Sequence, residues 1–524
     1  MFRIRKSGVV AALVSASVVF GWAGLATPAA AESYVPVSGA GSTWSQNAVD
    51  QWRRNVNQYG LTINFAGTGS SDGRQKFKDG NVDFAVSEIP YGITDQGTGI
   101  ADPAPSRPFS YMPIVAGGTS FMYNLTSGGA PITNLRLSGD VVTKMFTGVI
   151  TKWNDPLIKA DNPSLTLPDR AVVPVVRSDG SGSTAQFTLW MATKYKSLWD
   201  SYCDKVGRNE CGQTSFFPTT SGMVAQPNSQ GVSGYVAQKA NEGTITYVEY
   251  SYALKTGFPV AKVLNDAGYY VEPTASNVAV GLLGAKINQD KASTMYLTQE
   301  LGGVYNNKDA RAYPLSSYSY MIVPTTEQAS FTAAKGGTLS AFANYFLCEG
   351  QQQAEVLGYS PLPVNLVKVG LEQVAKIPGA DVTTINIAKC NNPTFSASGE
   401  NTLAKNAPMP DPCDKKGAEQ CTEGTGGAAA TSTGGTVSET TGTVGTTGTT
   451  AAGGAMGVTM GTGPTQCDPD TGTCSSIKAV PVATTSMGWA ATNWIILSVI
   501  IVLVLVVVVP PVLVTYAARK VRSS

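Results

Sequence analysis

The chain has 524 residues, with 37 Lys and Arg against 36 Asp and Glu, a formal net charge of +1 and no histidine. Near-neutral charge gives no electrostatic case for a nucleic-acid partner. Without imidazole there is no Ser-His-Asp arrangement, and the commonest metal ligand is gone.

Residues 1–31 read as a secretory signal. Arg3, Arg5 and Lys6 form a basic cap, residues 9–20 an apolar run, and Ala29, Ala30 and Ala31 supply small residues for cleavage. The run is too short for a lasting anchor, so the mature chain is expected to start near Glu32. A short buried helix is the plainer alternative. No cysteine lies in this region, which excludes a lipidated N-terminus.

From Tyr34 to about Ala380, short apolar runs alternate with amphipathic stretches, the pattern of an α/β fold. Residues 61–65 and 82–86 predict strands. Trp44, Ala48, Trp52 and Val56 recur every four residues and predict one helix face. Residues 172–176 predict a buried strand that breaks at 178–183, after which Phe187, Trp190 and Leu198 have helical spacing.

Three small-residue loops carry the chemistry. They are Gly39-Ala40-Gly41-Ser42-Thr43-Trp44, Gly67-Thr68-Gly69-Ser70-Ser71-Asp72-Gly73 and Arg177-Ser178-Asp179-Gly180-Ser181-Gly182-Ser183-Thr184, each leading into a predicted helix. The first N–H groups of a helix have no carbonyl partner, and the helix dipole adds positive charge there. Glycine lets the backbone approach closely and hydroxyls add donors, so such loops suit an oxyanion. One loop alone reads as a cap or turn; three in one domain point to binding. Arg177 offers a planar fork of donors for two oxygens, and Asp179 is placed to hold the guanidinium rather than touch the anion. A surface salt bridge is the plainer reading of that pair.

Glu88, at the end of Val82-Asp83-Phe84-Ala85-Val86-Ser87-Glu88-Ile89-Pro90, sets a carboxylate among anion donors. That placement makes sense for a ligand that carries a proton. Phosphate does near neutrality, with its second pKa at roughly 6, whereas sulfate would meet repulsion. An exposed strand-end Glu is the ordinary alternative.

Eight cysteines fit an oxidising compartment. Proximity suggests Cys203–Cys211, Cys413–Cys421 and Cys467–Cys474, leaving Cys348 and Cys390 to each other, although spacing does not fix connectivity. Zinc is the rival reading, against which stands the lack of any C-x-x-C motif. Residues 422–465 hold Gly, Thr and Ala with no aromatic and no Lys or Arg, and only Glu423 and Glu439 are charged. This composition predicts a flexible spacer reaching on the order of 35–40 Å; its threonines leave glycosylation open. No charge occurs between Lys478 and Arg519, and residues 494–514 are almost wholly Ile, Leu and Val, long enough for a membrane helix. Pro510 and Pro511 are tolerable there. Arg519, Lys520 and Arg522 would stay cytoplasmic, with the rest of the chain outside.

The loops, in this order, resemble the extracytoplasmic phosphate-binding proteins of high-affinity phosphate ABC transporters. The resemblance runs from about Val35 to Val374 and takes in Phe146-Thr147-Gly148-Val149-Ile150-Thr151-Lys152-Trp153, Gly231-Val232-Ser233-Gly234-Tyr235-Val236, Ile245-Thr246-Tyr247-Val248-Glu249-Tyr250 and Gly358-Tyr359-Ser360-Pro361-Leu362-Pro363. It implies a periplasmic-binding-protein fold of two α/β lobes joined by a hinge, with ligand in the cleft. Its implied ligand set is Thr43, Trp44 (through backbone N–H), Ser70, Glu88, Arg177, Ser181, Gly182 and Ser183, with Asp179 in support. Trp44 stands where the family has Phe, Ser183 where it has Thr, and Glu88 where it has Asp, which bears on affinity and anion choice.

The expected organisation is a signal at 1–31 and a binding domain at 32–390. Lobe 1 takes 34–118 and 287–380, and lobe 2 takes 119–286. A Cys-containing low-complexity stalk follows at 391–488, then a membrane helix at 489–518 and a basic tail at 519–524. The expected partners are inorganic phosphate, the permease and ATPase subunits of an ABC importer, and the membrane; no enzyme activity, metal or cofactor is expected. The alternative is an anchored surface protein that uses the fold for sensing, adhesion or another anionic ligand.

Overall fold

The computed structural model describes residues 34–95, 99, 101–209, 211–293, 295–384, 386–394 and 400–426, and the backbone of two short pairs at 466–467 and 474–475. The expected signal, most of the spacer and the segment 489–518 lie outside them. Among the described residues no helix is long and apolar enough to cross a membrane.

The main sheet has strands β1 (Val37–Gly41), β2 (Ile63–Gly67), β3 (Phe84–Ser87), β4 (Phe109–Tyr123), β5 (Val173–Arg177), β6 (Val224–Gln226), β7 (Thr244–Glu249) and β8 (Ser316–Pro324). Their order is β2-β1-β3-β8-β4-β7-β5-β6. β2 and β3 flank β1 in parallel, with Gly39 opposite both Phe65 and Phe84. β8 then runs antiparallel to β3 and β4. On the far side, β7 is antiparallel to β4 and parallel to β5, which is parallel to β6.

β4 is the element that serves two lobes. Up to Gly118, opposite Ser316, it pairs with β8; from Thr119, opposite Glu249, it pairs with β7. One strand therefore joins the half-sheet of lobe 1 to that of lobe 2. The β8–β4 register slips between Ser319 and Tyr320, where Pro113 on β4 has no N–H to give the ladder.

The stripe expected from Trp44 onward folds as helix α1 (Gln46–Asn57), which buries Ala48, Val49, Trp52 and Val56. Trp44 is buried on the turn ahead of it. Residues 61–65 were expected as a strand, but β2 starts two residues later, because pairing of Ile63 with Val37 sets the register. Helix α2 (Ser70–Lys78) follows β2 through Gly69, whose φ of +98° favours glycine. After β5 the single expected helix is two. Helix α3 (Gly182–Lys194) carries Phe187 and Trp190, while Leu198 lies on Lys196–Lys205. Between them Tyr195 leaves helical geometry (φ −133°, ψ 37°) and its ring packs against Trp190 at 4.9 Å. Helices α4 (Asn228–Val236) and α5 (Tyr250–Thr256) follow β6 and β7.

Lobe 2 is centred on aromatic rings. Phe187 lies 5.0 Å from both Phe146 and Tyr247 and 5.3 Å from Phe121. Each such pair is worth roughly 0.5–1.5 kcal/mol beyond its buried area, which fixes the seat of α3 behind its N-terminus.

Disulfides join Cys203 to Cys211, Cys348 to Cys390 and Cys413 to Cys421. The backbone pair 466–467/474–475 sets Cys467 opposite Cys474, but a bridge between them lies outside the described residues.

The stalk is expected from residue 391, yet described residues beyond it pack on the domain. Residues 390–394 and 400–426 form a strap on the domain. Asn392 and Thr394 bond to the Leu347 and Leu362 carbonyls of lobe 1. Arg311 donates to the carbonyls of Ala404 and Ala407. On lobe 2, Arg136 donates to the Cys413 carbonyl, Lys262 pairs with Asp414 at 2.6 Å, and Thr425 bonds to Thr133 and Val260. The polar residues of this stretch find buried carbonyls and charges to satisfy, a fit that composition alone does not reveal.

Candidate functional site

Parallel strands in an open α/β sheet deliver their loops to the carboxyl edge. β1, β2, β3 and β5 do so here, so the three small-residue loops and Glu88 meet between the lobes. Thr43, Trp44, Ser70, Glu88, Arg177, Ser181, Gly182 and Ser183 are all buried; Asp179 keeps partial exposure.

At the first loop, the Ser42 N–H still bonds to the Val86 carbonyl at 2.8 Å, extending the β1–β3 ladder. The Trp44 N–H donates to Ser42 Oγ at 3.0 Å. The amide expected to face an anion is thus spent inside its own turn, a side-chain-to-backbone closure typical of serine. The Trp44 ring packs edge-on against Tyr359 at 5.8 Å. Thr43 reaches across the cleft: its hydroxyl lies 2.9 Å from Ser229 Oγ and accepts the Ser229 N–H at 3.1 Å. Its carbonyl accepts from the Tyr252 hydroxyl.

At the second loop, Ser70 opens α2. Its Oγ donates to Glu88 Oε2 at 2.8 Å and accepts the Gly182 N–H of the opposite lobe at 3.1 Å. Ser71 N–H donates to the Gly180 carbonyl at 3.1 Å. Glu88 is held from several sides. Ser42 Oγ donates to Oε2 at 2.8 Å, Ser319 donates to Oε1, and Gln186 Nε2 of α3 donates to the Glu88 carbonyl at 2.9 Å. Beside it, Ser87 Oγ takes Arg74 Nη1 at 2.9 Å and the Ile89 N–H at 3.0 Å, which fixes the strand end.

At the third loop, Arg177 forks onto Asp179: Nε donates to Oδ1 at 2.7 Å and Nη2 to Oδ2. Nη1 points to Ser229 Oγ at 3.3 Å. Asp179 Oδ1 also accepts the Asn228 N–H at 2.9 Å, so the carboxylate is itself pinned. Ser181 caps α3, its Oγ accepting the Thr184 N–H at 3.2 Å. Ser183 Oγ is buried with no hydrogen-bond partner. Behind the loop, the Tyr247 hydroxyl meets Thr184 Oγ1 at 2.7 Å and accepts the Arg177 N–H; burial pushes that phenol up to about 12.

Taken together, the arrangement is a closed cradle of hydroxyls, the N-terminus of α3 and one guanidinium. Such a set recognises a small oxyanion by many short donors rather than by net charge. For a metal the fit is poor. Among the described residues Cys413, Cys421 and Glu423 have ligand-like proximity, but both sulfurs are in a disulfide and no thiolate remains.

Sequence reasoning did not single out Ser229, Ser319, Gln186 or Tyr252. Ser42 was quoted in the first loop without a role. Ser229 follows a strand and opens α4, a placement that could have flagged it; Ser319 sits mid-strand and offers no local signal.

The PBP superfamily domain matches residues 26–349 of the chain. The phosphate-binding protein PstS of Xylella fastidiosa (strain Temecula1) is 32% identical over 345 residues, covering 65% of this chain and 86% of that protein. The phosphate-binding protein PstS of Methanocaldococcus jannaschii is 27% identical over 355 residues, covering 66% and 87%. Among solved structures, a high-affinity periplasmic phosphate-binding protein (PfluDING) bound with phosphate superposes with a TM-score of 0.51 at 19% identity, over 68% of this chain and 99% of that one. This last likeness speaks for the fold.

Proposed function

This chain belongs to the PBP superfamily, among homologues of the PstS phosphate-binding proteins, and from that premise we propose that it binds inorganic phosphate between its lobes, outside the cell membrane, and delivers it to an ABC importer. The observation that carries this reading is the convergence of Thr43, Ser70, Arg177 and the α3 N-terminus in one buried interlobe cradle. In use, Thr43, Ser70, Ser181, Ser183 and Arg177 would donate to the phosphate oxygens, as would the N–H groups of Trp44 and Gly182 once released from their present acceptors. Glu88 would accept the proton that phosphate retains. Asp179 would keep the guanidinium in plane. We take the role to be binding and not catalysis, in keeping with the homologues named phosphate-binding proteins.

The three disulfides among the described residues support an oxidising, extracytoplasmic setting. We take residues 1–31 as the export signal, the chain beyond the strap as a spacer, and residues 489–518 as a membrane helix. That arrangement would hold the head near its permease and ATPase partners and raise its effective concentration there.

Calorimetric titration of residues 32–426 with phosphate and then sulfate at neutral pH tests the reading. One-to-one phosphate binding with little sulfate binding is expected. A folded, anion-stripped protein that binds neither would refute it. It would favour instead an anchored surface protein using the fold for sensing, adhesion or another anionic ligand, a reading to which the self-satisfied hydroxyls of the cradle lend weight.

A further inference from the structure

Three hydroxyls at the cradle are already taken, and one side chain takes all three. Glu88 Oε2 takes the hydroxyls of Ser42 and Ser70, both at 2.8 Å, and Oε1 takes Ser319. Oε2 lies against the first residue of α3: a Cβ built on Gly182 would come within 1.8 Å of it. A carboxylate therefore stands at the helix N-terminus, where partial positive charge favours an anion. The remaining donors close on one another, Arg177 on Asp179 and Ser229, Thr43 on Ser229. Ser183 Oγ stays buried and unpartnered at the same helix turn. Glu88 also ties the lobes, through its carbonyl to Gln186 and through Ser70 to the Gly182 N–H.

We propose that Glu88 is a built-in anion: with no phosphate bound, its carboxylate fills the cradle and holds the cleft shut, and phosphate gains the site only by displacing it. This rests on the phosphate reading above and adds a competition to it. A ligand that must displace a populated self-occupied state has its apparent dissociation constant raised by the inverse of the fraction left open; at about 90% self-occupancy the loss is about tenfold. Side-chain length decides the matter. An Asp would draw the carboxylate back by about one carbon–carbon bond, roughly 1.5 Å. It would leave the α3 N-terminus while keeping an acceptor for the ligand's proton.

The test uses the full chain in detergent, stripped of anion, as wild type, Glu88→Asp and Glu88→Ala. Two quantities are read: phosphate affinity by calorimetry, and hydrogen exchange at residues 42–46 and 228–233, the facing edges of the cleft. In the absence of phosphate the wild type should exchange slowly there and Glu88→Ala at least tenfold faster, with thermal melts confirming that both are folded. Glu88→Asp should bind phosphate about tenfold or more tightly than wild type. Wild type exchanging as fast as Glu88→Ala, or Glu88→Asp binding no tighter while the wild type does bind phosphate, would overturn the proposal. If no variant binds phosphate yet exchange still separates wild type from Glu88→Ala, the built-in anion stands and the phosphate reading falls.

Discussion

Glu249 ends β7 and begins α5 at the point where β4 passes between the lobes. Its Oε2 accepts the Ser251 N–H at 2.8 Å, while Oε1 is buried with no partner. Burial pushes this carboxyl well above its ordinary range. The folded chain thus keeps a proton that the unfolded chain releases above about pH 4.3. Stability from this group is full below that pH and declines as pH rises towards the folded-state value, by at most about 1.4 kcal/mol per unit. Glu249→Gln, which mimics the protonated form, should flatten that decline. Melting temperatures of both proteins from pH 4 to 8 should converge at the acid end and diverge towards neutrality; parallel curves would show that Glu249 is charged in the fold. Glu88 gives the second residue-scale prediction. Glu88→Gln keeps the length but swaps an acceptor-only group for an amide that can also donate. Phosphate's advantage over sulfate in competition titrations should shrink about tenfold or more, and unchanged selectivity would remove Glu88 from the proton-reading role.

α3 is the element on which the cradle depends, because its first turn faces lobe 1 while Phe187 and Trp190 lock its body into the lobe 2 core. Ser181→Ala removes the cap on the Thr184 N–H and should cost about 1 kcal/mol of stability. It should also weaken phosphate binding; a denaturant melt and a titration on one preparation check both. A melt unchanged from wild type would mean that water replaces the cap. The loop at this helix start was legible in the sequence only as one of three, since glycine and hydroxyl residues ahead of a single helix serve as ordinary caps and turns. Legible too was the alternation of short strands and helices that announced an α/β chain. What stayed hidden depended on partners distant in sequence. Ser319 meets Glu88 only because β8 lies beside β3, and Ser229 meets Thr43 only across the closed cleft. The break at Tyr195 was also invisible, because Phe187, Trp190 and Leu198 fit one helical phase whether or not the helix runs on. Trp44, expected to offer its N–H outward, gives it to the Ser42 hydroxyl, a choice that a serine two residues earlier permits but does not announce.

At the scale of the whole molecule, the chain goes on packing past residue 390, where the binding domain is expected to end. Residues 400–426 look polar and small, yet Ala404, Ala407, Asp414, Gln420, Cys421 and Thr425 are buried. Truncation after residue 390 would leave Lys262 without Asp414 and Arg136 without the Cys413 carbonyl. With the segment gone both cations meet water, so what is lost is the pairing and the buried contacts that the segment makes. Residues 32–390 should therefore unfold at clearly lower denaturant than residues 32–426. Coincident transitions would mean that the strap adds nothing to stability.

β4 and β8 also set an order of assembly. Every strand of lobe 2's half-sheet lies between residues 119 and 249, whereas β3 and the first part of β4 wait for β8, residues 316–324, to lie between them. A chain emerging N-terminus first can complete lobe 2 while lobe 1 still shows two unpaired strand edges, the kind of surface that pairs readily with other chains. The half that contributes Thr43, Ser70 and Glu88 is translated first and finished last, and the strap closes over both lobes only when residues 400–426 arrive. Slow emergence between β4 and β8 would then lengthen the interval in which this protein is most open to aggregation.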